Sequence, residues 1–132
     1  RNQADDRVVM KPNANQEFGS RGEQLAQQYL RNQGYTILAA NWICKYGEID
    51  IVAQQGDIIV FVEVRTRHAI NTESAFESIN PGKQRRMVAA AQTYLTAHQL
   101  ENMLWRVDII AVAIPRTGEP VIEHVEDGLA WD

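Results

Sequence analysis

Between Ser20 and Gly34 the positions Gly22, Ala26, Tyr29 and Leu30 recur at three- and four-residue spacing, the mark of one buried helix face. Ser20 and Glu23 have capping-box spacing at its start, and Gly34 stands where a left-handed C-terminal cap belongs. The period then drops to two. "YTILAANW" predicts a short strand, and "GEIDIVAQQGDIIVFVEVRTR", residues 47–67, predicts two more around a tight turn. "HAINTESAFESIN" has no strong period and reads as a loop with room for one helical turn. The helical period returns after Asn80, a candidate N-cap followed by Pro81, with Met87, Ala90, Ala91, Tyr94 and Leu95 as the buried stripe. "WRVDIIAVAI" is apolar nearly throughout, as a central strand covered on both faces would be, and "VIEHV" predicts an edge strand that pairs back. The order is αβββαβ with one extra strand: an α/β fold with helices flanking the sheet. One domain is expected over residues 18–132, and residues 1–17, rich in Asn and Gln, predict a flexible polar tail.

The hairpin poses a chemical question. With "QQGD" (54–57) as the turn and Ala53 opposite Ile58, one face carries Ile49, Ile51, Ala53, Ile58, Val60, Val62 and Val64. The other carries Val52, Ile59 and Phe61 near the turn, then Glu48, Asp50, Glu63 and Arg65 at the far end. In this register Asp50 lies opposite Phe61 and diagonal to Glu63, while Glu48 faces Glu63. Burying carboxylates among Ile, Val and Phe is costly unless something compensates them. A divalent cation would do so, because two such side chains converge readily on a hard cation that prefers oxygen ligands. An ion-pair patch with Arg65, Arg67 and Lys45 would do so equally well.

Composition narrows the classes. At 132 residues and 45% hydrophobic, the chain can bury a core without disulfides, and its one cysteine, Cys44, forms neither an intramolecular disulfide nor a zinc cluster. Apolar runs reach six residues at most, so no membrane span is expected. The opening residues lack the apolar stretch of a secretory signal, and a cytoplasmic location is expected. No P-loop, Gly-x-Ser-x-Gly elbow or HNH arrangement is present. The formal net charge is -4, yet residues 65–86 hold five basic groups (Arg65, Arg67, Lys83, Arg85, Arg86) against Glu73 and Glu77. A basic zone on an acidic body suits a local phosphate contact, and it also suits a solvated loop and helix start.

Asp50, then Glu63-Val64-Arg65, with Glu23 on a preceding helix, resembles the PD-(D/E)-x-K nuclease signature. More closely, "GEID", "FVEVRTR", "RGEQLAQQYLRNQGY" and "INPGKQRRM" resemble the YraN family, bacterial proteins with a restriction-endonuclease-like fold similar to archaeal Holliday-junction resolvases. The matching segments run in order across residues 18–114. The resemblance implies Mg²⁺ or Mn²⁺ held by Asp50, Glu63, the Val64 carbonyl and Glu23, and phosphodiester hydrolysis in DNA, including branched or structured DNA. It further implies backbone-phosphate contacts at Arg67, Arg85 and Arg86, which position nucleic acid without reading its sequence. Resolvase-like nucleases often cut as homodimers, and the resemblance extends that expectation here. The family pattern carries Lys where this chain has Arg65. Arginine supplies charge but cannot act as a base, and Lys83, at the start of the second helix, is the substitute to consider. Glu23 could instead serve as a capping acid, and Lys83 as an exposed first-turn lysine. Two readings remain beside the metal-dependent endonuclease. One is an inactive nuclease fold that binds nucleic acid or a protein, and the other is a structural ion-pair patch.

Overall fold

The computed structural model describes residues 13–76 and 80–129. Helix α1 (Ala14–Asn32) precedes β1 (Thr36–Cys44), β2 (Gly47–Gln55) and β3 (Ile58–Arg67), which form an antiparallel meander. A short 3-10 helix (Glu73–Phe76) and α2 (Pro81–Ala97) cross over to β4 (Leu104–Ala113), parallel to β3. Strand β5 (Val121–Val125) returns antiparallel to β4. The strands lie in the order β1-β2-β3-β4-β5, a mixed sheet consistent with a restriction-endonuclease-like core.

One apolar cluster joins Ala26 and Leu30 of α1 to Ile51, Ala53, Val60, Val62, Ile110 and Val112 on one sheet face. The other joins Ala90, Ala91, Tyr94 and Leu95 of α2 to Val52, Ile59, Phe61 and Val107 on the opposite face. Each helix thus covers its own side. Ile49 departs from the expected alternation, for it packs in the α2 cluster while Ile51 packs under α1. The reversal falls at Asp50.

Two further expectations are corrected. Helix α1 begins at Ala14, not at Ser20. Asn13 accepts the Gln16 amide at 2.8 Å while Gln16 Oε1 accepts the Asn13 amide at 2.9 Å, so the capping box sits there. Asn is among the best N-caps, and the helix extends back to it. Ser20 and Glu23 lie inside the helix, which leaves Glu23 without a capping role. Of the expected tail, residues 1–12 lie outside the described residues and residues 14–17 are helical. The C-terminal end follows expectation: Gly34 has φ 92, and the Tyr35 and Gly34 amides donate to the Leu30 and Arg31 carbonyls.

The hairpin register is also shifted by two. Gly56, at φ 57, and Asp57 make a two-residue turn, and Gln55 opposes Ile58. A left-handed glycine gives the turn a twist that matches the flanking strands. An even shift keeps side chains on their faces but changes every opposed pair. Asp50 therefore comes level with Glu63 rather than Phe61, and Glu48 no longer faces Glu63. On β5, His124 closes onto two distant elements: its ring nitrogens lie 3.1 Å from the Tyr29 hydroxyl and 2.7 Å from Asp108 Oδ2.

Candidate metal centre and nucleic-acid cleft

The β2–β3 ladder runs from Gln55/Ile58 to Ile51/Val62 and stops there. At the next position the Val64 amide donates to Asp50 Oδ2 at 2.8 Å, so a side chain takes the place of a ladder partner. On the other flank, Asn41 sits across from Asp50, between the pairs Ala40/Ile51 and Trp42/Ile49, and adopts φ 52. Asn tolerates this left-handed conformation better than most side chains. The sheet is thus locally reshaped on both sides of Asp50, and the carboxylate is held half-buried at the break.

Glu23 reaches this point from α1. Asn41 Nδ2 donates to Glu23 Oε1 at 2.8 Å, which orients the carboxylate. Its neighbour Gly22 explains the close approach of the helix. A Cβ at Gly22 would lie 1.9 Å from Thr66 Oγ1, so only glycine lets α1 sit this low on β3. Glu48 comes from the start of β2, after the turn at Gly47 (φ 130). Glu23, Glu48 and Asp50 each offer an oxygen within 4.8 Å of the others, an acidic cluster with the donor set of a hard divalent cation.

Burial pushes the Asp50 carboxyl up to about 8, and the negative charge of Glu63 adds to it. The Val64 amide pulls it down, while Glu23 and Glu48 push it further up. The carboxyl side chains that act on Asp50 are therefore all acids of like charge. Glu63 itself forms a salt bridge with Lys83 Nζ at 2.7 Å. Lys83 is the third residue of α2, whose N-cap Asn80 accepts the Lys83 amide at 2.8 Å. The ammonium and a helix N-terminus thus share one position, an arrangement that attracts phosphate. A cleft of about 350 Å³ opens here, lined by Tyr46, Glu48, Asp50, Glu63, Val64, Lys83 and Arg86 among others.

Most of the residues singled out in the sequence converge on this cleft. Asp50, Glu63, Val64 and Lys83 line it, Glu23 adjoins it, and Arg86 forms its wall. Arg65 is half-buried on β3, two residues beyond Glu63. Arg67 donates from Nη1 to the Thr66 carbonyl, and Arg85 is exposed on the first turns of α2. Lys45, a suggested partner for the acids, has its Nζ 5.1 Å over the Tyr46 ring. Two contributors escape sequence reasoning: Asn41 as the group that orients Glu23, and Gly22 as the contact with Thr66. Each acts across elements, and local spacing does not encode such contacts.

Arg106 and Asp108 pair on β4, Nε donating to Oδ1 at 2.9 Å. In comparison with known proteins, residues 22–112 match the family described as "Uncharacterised protein family UPF0102". The chain belongs to the UPF0102 family. It is 52% identical over 102 residues to a UPF0102 protein of Chloroflexus aurantiacus, covering 76% of this chain and 82% of that one. A UPF0102 protein of Roseiflexus castenholzii is 44% identical over 110 residues, covering 82% and 89%. One from Myxococcus xanthus is 38% identical over 114 residues, covering 86% and 90%. The UPF0102 match begins at Gly22 and so takes in the helix contact, the acidic trio, Glu63 and Lys83. Among the described residues, no helix is long and apolar enough to cross a membrane.

Proposed function

We propose that this protein is a metal-dependent endonuclease that hydrolyses phosphodiester bonds in DNA, with branched or structured DNA as its substrate. The observation that carries the reading is Asp50: a half-buried carboxyl whose acting side-chain neighbours are acids, at the break between two strands, in a cleft walled by Lys83 and Arg86. A structural carboxylate would be matched by cations. This one is matched by the donor set for Mg²⁺ or Mn²⁺. Asp50 and Glu23 would hold the ion with Glu48, and Glu63 and the Val64 carbonyl would complete the set. Glu63 lies outside the trio of mutually close oxygens but lines the same cleft as Asp50, from where it would join the set beside Lys83.

When bound, the cation would neutralise charge on the attacked phosphate and raise the acidity of a water. The chain's own groups supply the rest. Lys83 Nζ, held by Glu63 Oε2, would offer its ammonium to a phosphate oxygen. Arg65 contributes charge and not a base, since its guanidinium does not deprotonate in proteins. Arg86 on the cleft wall, with Arg67 and Arg85 beyond it, would take neighbouring backbone phosphates. Action on DNA fits a cytoplasmic protein, and a homodimer would suit symmetric cutting.

The direct test is a cleavage screen with Mn²⁺ on labelled flap, four-way-junction, single-stranded and blunt duplex DNA. The wild type should cut at least one structured substrate, and Asp50→Asn should cut none. A second reading, a nuclease fold that grips nucleic acid without cutting, is favoured by Arg65 in the position where the related pattern has Lys. Bound Mn²⁺ and bound DNA with no cleavage of any substrate would select it.

A further inference from the structure

The C-terminal ends of the parallel strands β3 and β4 open into a second groove of about 380 Å³, lined by His68, Ala69, Ile70, Ile114, Pro115 and Arg116 together with Thr117. His68 stacks on Phe18 of α1, with ring centroids 3.6 Å apart and an interplanar angle of 19°. Phe18 is half-buried against the α1 core cluster, whereas His68 is exposed. One face of the imidazole is therefore supported and the ring borders open space. Beside it Ile70 is 82% exposed, an apolar side chain with little cover of its own. Arg116 is exposed on the same groove, and Arg67 immediately precedes His68. An aromatic ring backed from below, an apolar neighbour and flanking guanidinium groups match what a nucleobase and its phosphate require.

Two elements tie this groove to the acidic cluster. Phe18 and Glu23 are five residues apart on α1, roughly 7.5 Å along its axis. His68 and Glu63 are five residues apart in sequence, with Arg67 ending the strand that Glu63 shares. Helix α1 thus carries residues of both sites, and the end of β3 leads from one towards the other.

We propose that His68 is a stacking platform for an unpaired base of single-stranded nucleic acid, with Ile70 against the base edge and Arg116 on a phosphate. It rests on the reading of the neighbouring cleft as a nuclease site, and it names the feature that would direct that site to substrates with unpaired nucleotides. The base stacks on the outer face of the imidazole, as Phe18 occupies the inner one.

The experiment measures binding of a fluorescent dT 12-mer and a blunt duplex of equal length in EDTA, by anisotropy. His68→Ala should weaken the single strand about tenfold, equal to about 1.4 kcal/mol, and His68→Phe should restore it. Duplex affinity should stay within about twofold. Ile70→Ser, which changes no ring, should weaken the single strand in the same direction. Equal affinity of wild type and His68→Ala for the single strand would overturn the proposal, and so would an equal loss for both DNAs. Because no metal is present, these outcomes are independent of Asp50. Mn²⁺ binding by His68→Ala, expected at wild-type strength, separates failure of the platform from failure of the nuclease reading.

Discussion

Two aspartates in this molecule are placed among apolar residues and treated in opposite ways. Asp108 on β4 is fully buried, yet it is surrounded by donors: Arg106 Nε at 2.9 Å, His124 Nε2 at 2.7 Å and the Asp127 amide at 3.0 Å. Burial alone would raise its carboxyl, but the hydrogen bonds from His124, Arg106 and Asp127 outweigh it, and the group stays below its ordinary value. Asp50 is half-buried, and burial first, then the like charge of Glu63, pushes it up to about 8; the Val64 amide opposes this, while Glu23 and Glu48 add to it. The first is a structural carboxylate whose compensation is complete within the chain. In the proposed reading the compensation of the second is left to a cation. Burial raises both carboxyls, and what separates them is whether the neighbours are donors, as at Asp108, or acids, as at Asp50.

Removing each aspartate should separate the two most sharply. Asp108→Ala should cost about 3–5 kcal/mol in urea unfolding, as expected when a buried ion pair loses one member. Asp50→Asn should cost nothing in EDTA at pH 7, because the amide oxygen can still accept the Val64 amide and the uncharged amide stands in for a carboxyl that burial and its acidic neighbours keep largely protonated there. A loss at Asp50→Asn comparable to that at Asp108→Ala would erase the distinction. Next in size is Gly22→Ala, which forces α1 away from Thr66 and should cost about 1–3 kcal/mol as an overpacked contact. It should also weaken Mn²⁺ binding, since Glu23 moves with the helix, and Thr66→Ala should recover part of both losses.

The pH dependence of unfolding in EDTA should carry opposite signs. Asp50, raised in the folded state, stabilises fully below its ordinary value near 3.8, and that contribution is lost as pH rises towards and through about 8. Asp108, lowered in the folded state, stabilises above its ordinary value, and its contribution is lost only as pH falls below that. Asp50→Asn should remove the decline that runs from its ordinary value up to about 8 and leave the one at acid pH that belongs to Asp108. A small stability effect is expected for Lys83→Ala, under about 1 kcal/mol for a partly exposed pair. Its effect on cleavage should be much larger, about a hundredfold in rate, in line with loss of a charge aimed at the phosphate.

The order of elements was legible because helix and strand periods alternate cleanly along the chain. Both cap residues that rest on local chemistry, Gly34 and Asn80, were also readable. The start of α1 was not, because Ser20/Glu23 and Asn13/Gln16 both offer the spacing of a capping box and only one can be used. The hairpin register was missed by two residues, as apolar alternation is identical at either register and the turn geometry decides. Asp50, Glu63 and Lys83 could be singled out from the chain. That Asn41 would orient Glu23, or that His124 would close on Asp108, depends on contacts between distant elements. The reversal at Asp50, which sends Ile49 and Ile51 to opposite cores, was hidden for the same reason.

Titration calorimetry of Mn²⁺ into the wild type and Asp50→Asn at pH 8, with unfolding of both followed in EDTA, tests the central claim most directly. The account predicts Mn²⁺ binding by the wild type with release of a proton, its loss in Asp50→Asn, and undiminished stability of that variant. No binding at millimolar Mn²⁺, or equal binding by both proteins, would contradict it.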